Sequence, residues 1–275
     1  MDSEHTQLHP AEAVFTSNFI RERNLLLTSG SMKAIFDSYE AHWSTNDIAP
    51  ADEVAALFRS ALAAFTLHTA SRPRRQVLAW TLNFQDPLCN LFLCGDTDDE
   101  VVAGRFFDEG IAQAERNSFY QEVSDRGKPV YRSFVDFSGS DPLLAAEEYY
   151  ARSEQRPARF FQLSEYDFAI LTAHPDWDRQ WFRSVQQDEI AHIEDNAELG
   201  FIEKRALSWH CGCDQKKVLG ALESVFHAQA DELFAGDDSI TVNCPRCSSR
   251  YIITREALEA YVAEQAESEQ STGEQ

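Results

Sequence analysis

Residues 210–249 read HCGCDQKKVLGALESVFHAQADELFAGDDSITVNCPRCSS, and the cysteines in this stretch carry the most information in the chain. Cys211-Gly212-Cys213 is a CxC, Cys244-Pro245-Arg246-Cys247 is a CxxC, and 30 residues separate them. Two close thiol pairs joined by a foldable segment suit tetrahedral zinc. Each short loop supplies two thiolates, and the fold between them closes the site. The single spacer of the CxC makes it tighter than the pairs of a common zinc ribbon. His210 and His227 lie nearby, but four cysteines already fill the tetrahedron, so both are read as bystanders.

The plain interpretation of such a site is structural, a clasp for a small domain. The alternative is a switch. A sixty-residue unit has a marginal core. Structural zinc contributes ~10–16 kcal/mol of apparent binding free energy, against ~5–15 kcal/mol of net stability for a whole domain. Loss of the metal is therefore enough to unfold the unit. Thiolates are also the oxidisable form of cysteine. Cys211 is placed to close on Cys213, in a cramped ring, and Cys244 on Cys247.

Working outward, Lys216–Phe234 has helical periodicity and ends at Gly236. Ser239–Asn243 and Tyr251–Thr254 flank the CxxC as a small hairpin. Thr254 caps a last helix over Arg255–Gln265. The tail 266–275 is compositionally disordered. Upstream, Trp177–Arg205 is polar and acidic with scattered aromatics (Trp177, Trp181, Phe182, Phe201). Trp181, Val185, Ile190 and Ile193 fit one amphipathic helix. The expected organisation is an α+β core over 1–175, an acidic linker over 176–205, a zinc unit over 206–265 and the tail over 266–275.

Within the core, 1–10 reads as a loose start, Phe19–Thr28 as one strand and Met32–His42 as a short helix. Asp52–Ala70 is an amphipathic helix. Gln76–Phe84, Leu88–Leu93, Val101–Phe107, Ser118–Val123 and Pro129–Phe137 are strands, rich in β-branched and aromatic residues. Gly127 turns the last hairpin, and Ile111–Asn117 reads as a helical turn. A helix over Asp141–Ser153, capped by Ser140 or Asp141, precedes strands at Ala158–Leu163 and Phe168–Ala173. Cys89 and Cys94 sit among apolar residues and read as core thiols.

Composition narrows the function. With 46 acidic against 24 basic residues the formal charge is −22, which opposes phosphate backbones and anionic membranes. Residues 206–275 hold 12 acidic and 5 basic residues, −7, so the cysteine unit is no nucleic-acid reader either. No apolar run approaches a membrane span, and the start MDSEHTQLHPAEA lacks a secretory signal's basic and apolar segments. A cytoplasmic protein is expected. There is no GxSxG, HExxH, Walker loop or dinucleotide fingerprint, so an enzyme is not expected.

The CxC, thirty residues and CxxC near the C-terminus resemble the heat shock protein 33 family, redox-regulated bacterial chaperones. A second motif agrees. Tyr149-Tyr150-Ala151-Arg152-Ser153-Glu154-Gln155-Arg156-Pro157 is similar to the family's YFxxSEQxP, matching at Tyr149, Ser153, Glu154, Gln155 and Pro157. These residues read as structural, with Glu154 and Gln155 anchoring the core through hydrogen bonds. The resemblance covers most of the chain and departs from the family in three places. Ser248 stands where Gly usually follows the CxxC. FQDPLCNLFLCGD replaces Gly-rich early strands. The segment before the cysteines is short.

The resemblance implies one zinc per reduced chain on Cys211, Cys213, Cys244 and Cys247. It further implies disulfides Cys211–Cys213 and Cys244–Cys247 on oxidation, with release of the metal. The opened protein would then hold unfolded or misfolded client proteins without ATP, as a homodimer. The alternatives are a constitutive chaperone or binding module with a purely structural zinc, and a thiol-disulfide oxidoreductase. The last lacks the thioredoxin-like βαβ context around its CxxC.

Overall fold

The computed structural model describes residues 11–272 apart from 126, 127 and 129, without the side chains of 227, 228, 230 and 267–272. The expectations for 1–10, Gly127, the His227 side chain and 273–275 fall outside the described residues. The chain divides into two compact units, 1–211 and 212–275.

The first unit is built on a ten-stranded sheet. Its order is β7-β6-β3-β4-β5-β10-β1-β2-β9-β8. Five of these strands form one half: β3 (Gln76–Gln85), β4 (Leu88–Asp96) and β5 (Val101–Phe107) pair in succession, and β6 (Asn117–Asp125) and β7 (Tyr131–Phe137) return to the other side of β3. Strict alternation buries Leu78, Trp80, Leu82 and Phe84 of β3 on one face, the period-2 pattern of a half-buried strand. The other five are β1 (Glu12–Ile20), β2 (Leu25–Ser31), β8 (Ala158–Gln162), β9 (Asp167–Ala173) and β10 (Leu199–Trp209). The halves meet where Ser208 and Trp209 of β10 run parallel to Val101 and Val102 of β5. Every other pairing in the sheet is antiparallel.

Helices α1 (Lys33–Thr45), α2 (Asp52–Ser71) and α3 (Pro142–Tyr149) cover one face of the sheet and close the main core. Helix α3 starts as its sequence suggests, with the Asp141 side chain accepting from the Leu143 N–H and Pro142 in the first turn. It gives way to a π turn over Tyr150–Glu154. Strand β9 shows why a second layer is needed. Phe168 and Ile170 enter the main core, while Ala169, Leu171 and Ala173 face the other way into a second one. That second core is closed by Phe182, Val185, Ile190 and Ile193.

These four residues correct the reading of 176–205 as a linker. They lie in α4 (Arg179–Ser184), α5 (Gln187–Ala191) and α6 (Ile193–Asn196), or between them, so three short helices replace the single amphipathic one. The first two helices carry their own N-caps: Asp178 accepts from Trp181 N–H, and Gln186 and Glu189 form a capping box. The acidity belongs to solvent faces. Residues 199–209 are β10, paired with β1 from Glu12↔Ser208 to Ile20↔Leu199. The boundary with the second unit therefore falls after Cys211 rather than at 206.

Three smaller expectations also change. Residues 19–28 are not one strand, because a 3-10 turn at Arg21–Arg23 and Asn24 at φ 51° fold β1 back onto β2. Residues 111–116 form no helical turn, and β6 begins at Asn117. The last helix runs beyond Gln265, since its Ala, Glu and Gln residues favour helix and neither Gly nor Pro stops it before 272.

The second unit is small. Helix α7 (Gln215–Phe234) ends with Ala235 left-handed and Gly236 at φ 91°. The hairpin β11 (Ser239–Asn243) and β12 (Arg250–Thr254) pairs in continuous register. Thr254 Oγ1 accepts from the Ala257 N–H to start α8 (Arg255–Thr272). Leu219, Phe234, Ile253 and Leu258 are its buried apolar centre. Nine partly buried apolar side chains pack against these four, a small core for an independent fold, which makes the cysteines matter.

Candidate metal centre

The two cysteine loops are shaped by local backbone. Gly212 sits at φ 66°, a conformation that lets one spacer residue turn both thiols of the CxC the same way. In the second loop, Ser248 N–H donates to Cys244 O at 2.9 Å and Cys244 N–H to Ser249 O at 2.8 Å, closing the tip of the β11–β12 hairpin. Ser248 takes φ 65°, the conformation for which Gly is the unstrained residue. The departure at 248 therefore keeps the turn at a cost in strain.

The Sγ atoms of Cys211, Cys213, Cys244 and Cys247 lie within 4.8 Å of one another. Zinc–thiolate bonds of about 2.3 Å set tetrahedron edges near ~3.8 Å. The sulfurs therefore stand about where a tetrahedral ion would hold them, and all four are unbridged. Cys213 Sγ is 3.5 Å from Cys247 Sγ. Cys244 and Cys247 are buried, while Cys211 and Cys213 are partly accessible. The donor set, four soft thiols converging on one point, fits zinc.

Hydrogen bonds orient the sulfurs. Arg246 N–H donates to Cys244 Sγ at 3.4 Å, Ser249 Oγ lies 3.1 Å from Cys247 Sγ, and Tyr251 OH donates to Cys213 Sγ at 3.1 Å. Burial, with the hydrogen bond to the Cys213 sulfur, pushes the Tyr251 phenol above its ordinary range. Outer contacts of this kind hold ligand geometry. Sequence reading found the cysteines but not Ser249 or Tyr251. Their only signal was position beside a CxxC, which does not separate a hairpin residue from a ligand's partner. His210 is not among the grouped ligands.

The second motif lies in the first unit and does a different job. Glu154 Oε2 accepts from Arg72 Nη1 at 3.0 Å. Its Oε1 accepts from Gln121 Nε2 at 3.0 Å and Tyr149 OH at 3.2 Å. Gln121 Oε1 accepts from Trp80 Nε1 at 2.7 Å, and Tyr149 OH meets Ser133 Oγ at 2.7 Å. One carboxylate thus ties α2, β3, β6, β7 and the π turn together. Gln155 is at φ 51° and turns the chain towards Pro157 and β8. Arg72 and Gln121, the partners, were not visible in sequence because nothing in their spacing marks them.

Beside this network His68 is fully buried, its Nδ1 2.6 Å from Tyr150 OH and its Nε2 without a hydrogen-bond partner among the described residues. Burial, and then the Arg72 charge, hold its pKa well below the ordinary histidine value. Cys89 and Cys94 are buried in the main core, and burial pushes the Cys89 thiol up to about 11. Cys89 is therefore a poor nucleophile. No helix among the described residues is long and apolar enough to cross a membrane.

Comparison with known proteins supports the same picture. The family model described as Hsp33 protein matches residues 170–254, which include all four cysteines. A 33 kDa chaperonin of Aliivibrio salmonicida is 20% identical over 258 residues, covering 82% of this chain and 88% of its own length. One from Acholeplasma laidlawii reaches 32% identity over 77 residues, 28% of this chain and 26% of its own. The crystal structure of a 33 kDa chaperonin from Thermotoga maritima superposes with a TM-score of 0.70. It is 13% identical in sequence, and the match covers 94% of this chain and 100% of that one. That likeness is one of fold.

Proposed function

The chain belongs to the heat shock protein 33 family, and from that premise we propose that it is a redox-regulated, ATP-independent holdase rather than an enzyme. Zinc, one per reduced chain, would be held by Cys211, Cys213, Cys244 and Cys247. When bound, it keeps the four thiols as thiolates and clasps the CxC loop to the hairpin tip. The observation that carries the proposal is the convergence of four unbridged sulfurs within 4.8 Å, three of them in a unit whose buried apolar centre is small.

On oxidation the thiolates of Cys211 and Cys213, and those of Cys244 and Cys247, give two electrons per pair to an oxidant such as hypochlorite. Each pair becomes a disulfide, and the ligand set is gone. The second unit then loses its clasp, and apolar side chains such as Leu219 and Phe234 become available to unfolding client proteins in the cytoplasm. The oxidised form is a homodimer in this reading.

The test joins three readouts on purified protein treated with hypochlorite, or with peroxide at raised temperature. Zinc release, thiol loss and suppression of a client's thermal aggregation should rise together. Zinc release with no gain in suppression would sink the holdase reading. A second reading has one observation in its favour: β10 is a full strand of the sheet rather than a free linker. It is a constitutive chaperone with structural zinc, for which suppression would be equal before and after oxidation.

A further inference from the structure

The side chains around the cysteines include one that crosses from the hairpin to the other loop. The register of the hairpin sets Tyr251 opposite Val242 and Ile253 opposite Ile240. Along β12, Tyr251 and Ile253 lie on the inward side, while Ile252 between them is exposed. The Tyr251 ring packs against the small apolar centre of the second unit, and its hydroxyl donates to Cys213 Sγ at 3.1 Å. Cys213 Sγ also meets Ser249 Oγ at 3.6 Å, and the same Oγ lies 3.1 Å from Cys247 Sγ. Two hydroxyls from one side of the hairpin thus converge on a sulfur of the CxC loop.

A thiolate accepts hydrogen bonds through the same lone pairs with which it attacks an oxidant. A donor aimed at the sulfur stabilises its charge and makes it a weaker nucleophile. Cys213 is partly accessible, so an oxidant reaches it and the donor matters. With peroxide the chemistry is simple. One thiolate of the CxC attacks an oxygen of peroxide, an S–O bond forms, the O–O bond breaks and hydroxide leaves. The other thiolate then attacks the resulting sulfenic sulfur, the S–S bond forms, the S–O bond breaks and a second hydroxide leaves. Two electrons pass from the pair to one peroxide. Whichever sulfur reacts first, Cys213 spends a lone pair once as nucleophile or as attacking thiolate, and it must first release the Tyr251 hydroxyl.

We propose that Tyr251 is a positioning residue of the thiol cluster: its hydroxyl, assisted by Ser249, restrains the Cys213 sulfur and so sets how much oxidant the cluster withstands before it opens. The inference rests on the zinc-thiolate reading above and assigns its threshold to a residue outside the ligand set. The ring and the hydroxyl have separable jobs. The ring fills the apolar centre with Leu219, Phe234 and Ile253, and the hydroxyl serves only the sulfur end. Groups that hydrogen-bond to metal ligands are typically worth 10–100-fold in metal affinity. The same bond ties the CxC loop to β12, so a chain without it holds its metal less tightly and yields its thiols sooner.

Tyr251→Phe keeps the ring and removes only the oxygen, so it separates the two jobs in the reduced, zinc-replete full chain. Zinc affinity, read by competition with a chromogenic chelator, should fall about tenfold. Thiol loss in excess peroxide should run roughly three- to tenfold faster. Peroxide is the oxidant because hypochlorite also chlorinates phenols. With cobalt(II) in place of zinc, the sulfur-to-metal charge-transfer band should move to lower energy, since a sulfur without its donor gives up an electron more readily. A tyrosine that served packing alone would move none of the three. Ser249→Ala should shift them in the same direction, and circular dichroism of the zinc-loaded variants checks that the fold is kept. A wild-type chain that takes up no zinc sinks the metal reading and this inference with it. A wild type that does, beside a Tyr251→Phe variant whose thiols are lost no faster and whose cobalt band is unmoved, overturns this inference alone.

Discussion

Replacing Glu154 with Ala removes the one acceptor that serves Arg72, Gln121 and Tyr149 at 3.0, 3.0 and 3.2 Å. The Arg72 and Glu154 side chains are 21% and 18% exposed, so the pair is mostly but not wholly withdrawn from water. Breaking a fully buried pair costs ~3–5 kcal/mol and a surface pair ~0–1. Arg72 also keeps its hydrogen bond to Gln76 Oε1 at 3.0 Å. The Gln121 amide is left unsatisfied at ~1 kcal/mol, while Tyr149 OH keeps Ser133 Oγ; with about 2 kcal/mol for the partly withdrawn ion pair, a loss of about 3 kcal/mol is expected. For a unit of this size that lowers Tm by roughly 6–12 °C. Differential scanning calorimetry should show the shift in the first unit's transition, with the zinc unit's transition unmoved. Glu154→Gln keeps an acceptor oxygen and should lose about half as much. A cycle with Arg72→Ala should return a coupling of at least ~1 kcal/mol. A drop under about 2 °C on Glu154→Ala would show that the network is decorative and refute the role given to the SEQ motif.

Cys213→Ser should reduce bound zinc to well under one per chain and open 212–275 to protease while 11–211 stays resistant; unchanged cleavage would exclude metal-dependent folding. Ser248→Gly relieves a left-handed residue and should stabilise the second unit by about 1 kcal/mol, read as a higher chelator concentration needed for half unfolding. His68 is held neutral by burial, with a folded pKa below its unfolded value near 6.5. Its contribution is whole above that value. As pH falls below it the unfolded chain binds a proton that the folded chain refuses, so stability declines by up to ~1.4 kcal/mol per pH unit. Denaturant melts from pH 7.5 to 5.5 should show a shallower decline in His68→Gln, and equal slopes would refute the assignment.

The legible parts of this chain are those where one period or one residue type dominates. Helix α2 and strands β3 and β5 fall where hydropathy put them, because their inward positions are predominantly apolar. Four cysteines announce their site, since few other arrangements need thiols at such spacing. β10 was hidden for the opposite reason. Arg205 occupies a core position at 5% exposure, its guanidinium satisfied by Glu203 and the Thr69 carbonyl, while Phe201 and Ile202 face water. Reversed polarity at three positions erases the alternation. The α4–α6 layer was illegible because its apolar residues are spread over three short helices, none long enough to show a period.

That hidden layer bears on how far oxidation could reach. The cysteines begin two residues after β10 ends at Trp209, so losing the thiolate set loosens 212–275 without breaking any pairing of the sheet. Freeing α4–α6 is a separate step. Phe182, Val185, Ile190 and Ile193 are each buried against β2, β8 and β9, and exposing a large apolar side chain costs ~1.5–3 kcal/mol. Four of them come to about 6–12 kcal/mol as an upper estimate, comparable with the whole stability of a domain. Disulfide chemistry at the four thiols does not supply that. Heat or another unfolding stress does, by lowering the stability of the second core itself. In the redox reading proposed above, full opening would need two conditions: an oxidant to unclasp the small unit, and a destabilising stress to lift the helices from the sheet.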